Sequence, residues 1–111
     1  MKTTFKYEFQ HQAMARQKQF EQSTGVKWSY SPSGDGYRFS PVITRATTPN
    51  EDAGQILYPF LDGQYRSFLY LAQISNLELS QVLSGAKWLT LNQFAVPTID
   101  RMGGWNGVRK A

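Results

Sequence analysis

Histidine chemistry in this chain would have to depend on one residue, because His11 is the only histidine. His11 lies in a glutamine-rich stretch that is typical of a solvated helix, so it is a weak candidate for acid-base catalysis or metal binding. The chain has no cysteine, which excludes a thiolate nucleophile, a disulfide framework and the common cysteine-rich zinc sites. No serine lies in a Gly-x-Ser-x-Gly elbow with a histidine placed as its base. A hydrolase triad is therefore not expected.

Carboxylates and glycines give no support to an enzyme either. A metal-dependent nuclease needs several carboxylates at one cation, and the acidic residues of the second half show no motif spacing. These residues are Glu51, Asp52, Asp62, Glu78 and Asp100. The glycine-rich stretches at 33–36 and 103–107 neither follow a buried strand nor open a helix, as a phosphate loop does. We therefore predict that the chain is not an enzyme, with no metal site and no cofactor.

Basic residues are concentrated at the two ends of the chain. Residues 1–45 hold seven basic and three acidic side chains, and residues 99–111 hold three and one, whereas residues 46–98 hold two and four. This distribution is compatible with an anionic partner such as nucleic acid. For direct nucleic-acid binding, the candidate contacts are Lys6, Arg16, Lys18, Lys27, Arg38, Arg45, Arg109 and Lys110.

Aromatic and basic residues alternate between positions 26 and 45, a composition that nucleic-acid-binding proteins use for stacking and phosphate contacts. The strand period places Trp28 and Tyr30 on one face and Lys27 on the other. A face this rich in aromatic residues is expected to pack on the N-terminal helix. Lys27 and Arg38 then point outward, where they can contact a phosphate backbone without reading its sequence.

The first elements that must position these residues are a helix and a β-hairpin. Roughly helical spacing of apolar residues predicts a helix over residues 4–22, and a short strand over residues 3–9 is the alternative because that stretch also alternates. Residues 26–30 and 37–40 alternate on either side of a proline- and glycine-containing turn, which predicts the hairpin. Its second arm can run on through residues 42–44 if Pro41 lies at an edge or a bulge.

The second half has a helical pattern. Residues 47–52 should lead into a helix capped by Thr48 or Asn50. Two apolar stripes predict two more helices, with a turn at Ser75-Asn76 between them and Gly85 ending the second. Residues 88–91 are predicted to form a short strand or to begin another helix. Pro97 should end whatever precedes it, and residues 103–107 have the composition of a loose tail.

Together these patterns predict an α+β fold, with an N-terminal helix packed on a β-hairpin and two or three short helices after it. The 111 residues fit one domain. Within it we distinguish a helix-plus-hairpin part (about 1–46), a helical part (about 50–98) and a basic tail (99–111).

Residues 71–85, LAQISNLELSQVLSG, resemble a helix-turn-helix of the phage-repressor kind. The interval from Ala72 to Gly85 is a little short, and the turn lacks its usual glycine. The would-be recognition helix offers Glu78 and no arginine or lysine before Lys87. The resemblance implies a DNA-binding regulator, and a simple helical hairpin is the other interpretation.

Residues 61–69, LDGQYRSFL, resemble a segment of the small phage-encoded Cas9 inhibitors, which are anti-CRISPR proteins. The resemblance covers these residues alone, so no functional residue is carried over from it. It implies a small, cysteine-free, non-catalytic protein that docks on a larger nucleoprotein machine.

These observations lead to a binding protein of phage or mobile-element type that docks on a protein or protein–nucleic acid complex and occludes it. Its candidate anchors are Lys27, Arg38, Tyr65, Arg66 and Trp105. Direct nucleic-acid binding, by the basic helix, the outer hairpin face and the tail, is the alternative, and a self-associating structural subunit is a third. No apolar stretch is long enough to cross a bilayer, and polar residues follow the basic start where a secretory signal would be apolar. We therefore expect no membrane partner and a cytoplasmic location, in a bacterial host if the protein is phage-encoded.

Overall fold

The computed structural model describes residues 2–6, 9–99 and 105–111. In chain order the elements are β1 (Thr4–Lys6), α1 (Gln10–Thr24), β2 (Trp28–Ser33), β3 (Gly36–Pro41), α2 (Glu51–Leu57), a 3-10 turn (Tyr58–Phe60), β4 (Arg66–Ser67), α3 (Phe68–Ser75), α4 (Leu79–Leu91), β5 (Ala95–Ile99) and β6 (Trp105–Lys110). The strands that the structure describes form two antiparallel three-stranded sheets, sheet A with the order β1-β3-β2 and sheet B with the order β4-β6-β5. The predicted α+β class is confirmed.

The first described element is a strand, at a position where a helix was predicted. The helix expected over residues 4–22 starts only at the beginning of α1, and the strand alternative is correct for β1, while residues 7 and 8 lie outside the described part. The ring centroid of Phe5 lies 5.7 Å from that of Phe39 in sheet A and 6.4 Å from that of Phe20 in α1. Strand alternation buries part of Phe5 and leaves its two neighbours in β1 exposed.

The predicted β-hairpin is present as β2 and β3. Its turn is shorter than predicted, because Ser33 pairs with Gly36 and only Gly34 and Asp35 lie between them. Gly34 has a φ of +61°. A positive φ at the first of two loop residues is the pattern of a type II′ turn, whose twist matches that of the flanking strands. On the inner face of sheet A, Trp28 and Phe39 pack with Ala13 of α1.

The second arm of the hairpin ends at Pro41 and does not run on through residues 42–44. The Val42 amide donates to the Lys27 carbonyl at 2.9 Å. Because hydrogen-bonded and non-hydrogen-bonded pairs alternate in an antiparallel ladder, the neighbouring Trp28–Pro41 pair is not hydrogen-bonded. The proline nitrogen therefore points away from β2, past the end of β1, where no ladder bond is lost.

Local signals predicted the start of α2 and the end of α3. Asn50 caps α2 through a hydrogen bond from the Ala53 amide to its side-chain oxygen, at 2.9 Å. Asn76, with a φ of +60°, ends α3 at the predicted turn. Gly85, in contrast, does not end its helix. It lies inside α4, so residues 88–91 are the last turn of that helix and form neither a strand nor a new helix.

Gly85 is the point where α4 crosses α2. A Cβ on Gly85 would lie 2.7 Å from the Ala53 carbonyl carbon, and a Cβ on Gly54 would lie 2.6 Å from the Trp88 ring. Both glycines therefore allow the two helices to approach closely, and the close packing explains why the helix continues through Gly85.

Sheet B was not predicted, and it overturns two expectations. Trp105–Lys110 is the central strand of this sheet, so this part of the predicted basic tail, residues 99–111, is not a loose tail; residues 100–104 lie outside the described part. Pro97 does not end the preceding element but lies within β5, an edge strand, where a missing amide hydrogen is tolerated. The main core lies between sheet B and the three later helices and includes Leu57, Phe68, Leu71, Val82, Leu83, Leu89 and Val108.

Candidate anion-binding cleft

The outer face of sheet A is polar because of the strand period. Ser31 is paired with Arg38, and Ser29 with Ser40, and residues directly opposite each other share a face. The aromatic residues of the same strands occupy the other face, against α1. Three serines and one arginine are thereby turned away from the core.

A backbone hydrogen bond connects sheet B to the segment that follows β3. The Ile43 amide donates to the Trp105 carbonyl at 3.1 Å, so the segment after β3 bridges to β6. In sheet B, Gly107 of β6 lies opposite Ser67 on one side and Thr98 on the other. These three residues consequently form a small-residue floor beside the outer face of sheet A.

The two sheets enclose a cleft of about 190 Å³. We call it the intersheet cleft, and the described residues that line it are Ser29, Ser31, Arg38, Ser40, Tyr65, Arg66, Ser67, Thr98, Asn106 and Gly107. Two of these are arginines, five carry hydroxyl groups on serine or threonine, and none is acidic. The described lining is therefore rich in hydrogen-bond donors and positive in charge, which suits an anion.

Gly107 lets β4 and β6 approach each other at the floor of the cleft. A Cβ at this position would lie 2.5 Å from the Arg66 carbonyl oxygen. Any larger residue here would push the short strand β4 away and displace the Arg66 side chain with it.

Arg66 is held in place by Asp62. The Arg66 Nη2 donates to Asp62 Oδ2 at 2.8 Å. This hydrogen bond, with a second one from the Gln64 amide, lowers the pKa of Asp62, and it raises that of Arg66. Asp62 is exposed and Arg66 is partly exposed, so the pair orients the guanidinium more than it stabilises the fold. Arg38, on the opposite wall, has no carboxylate of the described residues within ion-pair distance.

Aromatic rings flank the cationic groups of the cleft. The guanidinium of Arg109 lies 5.4 Å from the ring centroid of Tyr65, and that of Arg66 lies 5.3 Å from the ring of Tyr70. Tyr65 is 50% exposed, although it is a large aromatic residue. Cation–π contacts of this kind help to orient the two guanidinium groups.

Thr98 carries the one unsatisfied polar atom of its kind among the described residues. Its Oγ1 is buried and has no hydrogen-bond partner in the part of the chain that the structure describes. A buried hydroxyl without a partner is unfavourable, by about 1–3 kcal/mol. This residue lines the intersheet cleft.

Comparisons of the chain with family models, with curated proteins and with solved structures gave no match. The intersheet cleft nevertheless brings together three of the five predicted partner anchors, Arg38, Tyr65 and Arg66. The other two lie elsewhere. Lys27 lines a separate pocket, and Trp105 is partly buried against the main core, so its ring is not a free surface anchor.

The predicted nucleic-acid contacts do not share one surface. Lys6 and Arg38 lie on the outer face of sheet A, because their neighbours in β1 and β3 point inward. Arg109 and Lys110 contact the rings of Tyr65 and Tyr58. On the other side of sheet A, the helix α1 carries Arg16, which lies over Phe5, and the exposed Lys18; Arg45 and Lys27 lie near the loop after β3.

The helix-turn-helix resemblance falls on α3 and α4. Lys87 is the one cation of α4, and its Nζ donates to the carbonyls of Thr44, Arg45 and Thr47 at 2.9, 3.2 and 2.6 Å. The would-be recognition helix thus has its basic group engaged in a loop, and a groove contact would have to break these bonds.

Sequence reasoning missed the polar lining of the cleft. The serines of β2 and β3 could have been found, since they alternate with the aromatic residues of the hairpin. Thr98, Asn106 and Gly107 carry no local signal, because their position depends on sheet B. His11 is exposed, and its ring stacks on Phe9 with 6.0 Å between centroids.

Metal-binding and membrane-spanning features are absent from residues 2–6, 9–99 and 105–111. These residues bring no group of three histidine or acidic side chains together in the way that a metal ion requires. Among the helices in this part of the chain, none combines the length and the apolar character needed to cross a bilayer.

Proposed function

We propose that the chain is a non-enzymatic binding protein of phage or mobile-element type, which docks on a protein–nucleic acid complex and occludes it. The observation that carries the proposal is the convergence of Arg38, Tyr65 and Arg66 at the intersheet cleft. Arg38 belongs to β3 of sheet A, whereas Tyr65 directly precedes β4 of sheet B and Arg66 is part of it. The fold therefore brings together residues that are distant in sequence. Arginine and tyrosine are among the residues that most often dominate binding energy at interfaces.

The anti-CRISPR resemblance of residues 61–69 supports the same surface. This short stretch contains Tyr65, Arg66 and Ser67, which line the cleft, and Asp62, which orients Arg66. The segment that resembles an inhibitor is therefore also the segment that supplies one wall of the candidate site. A location in the cytoplasm of a bacterial host follows from this proposal.

Affinity capture with matched variants tests the proposal. The tagged chain is used to capture partners from bacterial lysate, alongside Arg38→Ala/Arg66→Ala and the control Lys18→Ala, which alters an exposed lysine on α1. We expect the wild type and the control to retain the same protein–nucleic acid complex and the double variant to lose it. Full retention of that complex by the double variant would contradict the proposal.

Self-association is a second candidate function, favoured by an apolar surface away from the cleft. A pocket of about 300 Å³ is lined by Tyr58, Trp88, Leu89 and Phe94, among others. The Phe94 ring lies 5.8 Å from each of its two aromatic neighbours, yet Phe94 remains 46% exposed. Light scattering across a concentration series measures the mass directly, and a constant monomer mass removes this candidate.

A further inference from the structure

We propose that the intersheet cleft is a phosphate site, and that the group it holds is a backbone phosphate of a nucleic-acid strand. The inference rests on the proposed function, because it specifies the contact through which the chain docks on its nucleoprotein partner.

The donors of the cleft suit a tetrahedral anion better than a flat carboxylate. Arg38 reaches the cleft from sheet A, and Arg66 reaches it from the start of sheet B. One guanidinium is sufficient to bind both oxygens of a carboxylate in a single plane. Donors on two opposed walls instead match an anion whose oxygens point in several directions, as those of phosphate do.

The hydroxyl of Thr98 is an independent sign of a missing acceptor. Among the described residues, it is a buried side-chain oxygen without a hydrogen-bond partner, and Thr98 forms part of the lining of the cleft. Buried polar groups in native proteins are satisfied in the large majority of cases. An anion in the cleft would supply the acceptor that the surrounding strands do not.

The arrangement of cations outside the cleft favours a strand of nucleic acid over a single phosphorylated side chain. In sheet A, Thr4 is paired with Arg38, and Lys6 lies two residues further along the same face. This spacing puts Lys6 at a diagonal position, ~7–8 Å from Arg38 between Cα atoms. In sheet B, Arg109 lies over the ring of Tyr65, which lines the cleft. Positive groups near Arg38 on sheet A and near Tyr65 on sheet B can contact successive phosphates of one strand.

Tyr65 favours a nucleic-acid strand over a phosphopeptide, because its ring can stack on a base. Its ring is half exposed at the rim of the cleft. Base stacking on an exposed aromatic ring is tolerant of sequence, which agrees with a contact that reads backbone rather than bases.

Fluorescence anisotropy with a labelled single-stranded oligothymidylate tests the inference on the full chain. We expect Arg38→Ala/Arg66→Ala to weaken binding about a hundredfold or more, because the loss of the charged hydrogen bonds of each arginine should weaken it about tenfold or more, and Lys18→Ala to leave it within about twofold. Arg38→Lys keeps the charge and loses the fork, so its affinity should fall between these values. Equal affinity of the wild type and the double variant overturns the inference, and so does tighter binding of a phosphoserine peptide than of the oligothymidylate. Arg38 is exposed, so Arg38→Ala alone provides the comparison if the double variant does not fold.

Nuclease treatment of the captured complex separates this inference from the proposed function. We expect DNase and RNase together to release the wild-type protein from its complex. If capture still requires Arg38 and Arg66 but survives nuclease treatment, the partner contact is protein and the phosphate inference is wrong while the docking function stands. If capture does not require these arginines, the docking function itself is wrong.

Discussion

Thr98 connects the stability of the fold to the anion that we propose for the cleft. Its strand is well suited to a β-branched residue, but a valine would provide the same shape without the buried hydroxyl. The threonine hydroxyl has no partner among the described residues, so it does not stabilise the isolated chain. An unsatisfied hydroxyl at a candidate binding site is explained if it forms a hydrogen bond with the ligand.

Replacing the hydroxyl separates the two roles. We expect Thr98→Val to raise the free energy of unfolding of the unliganded chain by about 1 kcal/mol, because it removes an unsatisfied buried polar atom. The same change should weaken oligothymidylate binding severalfold, while Thr98→Ser, which keeps a hydroxyl, should bind nearly as the wild type does. Urea denaturation and anisotropy measure the two quantities. A valine variant with unchanged affinity would remove Thr98 from the site.

The residues of the cleft are predictable to different degrees. Residue type alone points to Arg38, Tyr65 and Arg66, because arginine and tyrosine are strong interface residues, and the fold brings these three together. The same reasoning points to Trp105, but the central strand of sheet B turns it toward the core. Residue type indicates what a side chain can bind, whereas only the pairing of strands determines where it points.

At the level of elements, local signals are reliable and long-range pairing is not visible in the sequence. The hairpin, the Asn50 cap and the Asn76 helix end each depend on a few neighbouring residues. The sequence predicts the hairpin with a longer turn than the one observed, offers Asn50 as one of two possible caps, and predicts the turn at Asn76. Sheet B combines the two-residue strand β4 with strands from the last part of the chain. Such a short strand has no period of its own, so the residue pattern predicts helices and a tail instead.

Gly85 illustrates how packing can override a local signal. Glycine lowers the helix propensity of α4 by about 1 kcal/mol relative to alanine, which makes it a reasonable helix end. A Cβ at this position would lie only 2.7 to 2.9 Å from backbone atoms of Ala53 and Gly54 across the helix crossing. Backbone cannot move aside as a flexible side chain can, so the crossing requires glycine.

The close packing of α2 and α4 predicts whether a substitution at Gly85 raises or lowers the free energy of unfolding. We expect Gly85→Ala to lower the free energy of unfolding by about 1–2 kcal/mol, because the cost of overpacking exceeds the gain in helix propensity. Gly63→Ala is the control, since a Cβ there meets nothing within 4 Å, and its effect should be within about 0.5 kcal/mol of zero. Urea denaturation measures both. An alanine at position 85 that stabilises the protein would show that α2 and α4 can separate without loss.

At the scale of the whole molecule, the fold divides the positive charge of the chain between opposite sides. Arg16 and Lys18 lie on α1, which covers the inner face of sheet A, while Lys6 and Arg38 lie on its outer face. A nucleic-acid strand that binds at the intersheet cleft therefore contacts only part of the cationic surface. The net charge of +4 is compatible with an anionic partner, but it does not indicate which basic residues contact that partner.

The salt dependence of binding measures that footprint. For single strands, the logarithm of the binding constant falls with the logarithm of salt concentration with a slope of about −0.7 per phosphate neutralised. Contacts limited to Arg38, Arg66 and Arg109, with or without Lys6, give a slope between about −2 and −3. Engagement of all the basic residues that the sequence offers as nucleic-acid contacts would give a slope of about −5 or steeper. Anisotropy titrations across a range of salt concentrations distinguish the two. A slope that becomes about 0.7 shallower in Arg38→Ala, but not in Lys18→Ala, would place the strand on the cleft side of sheet A.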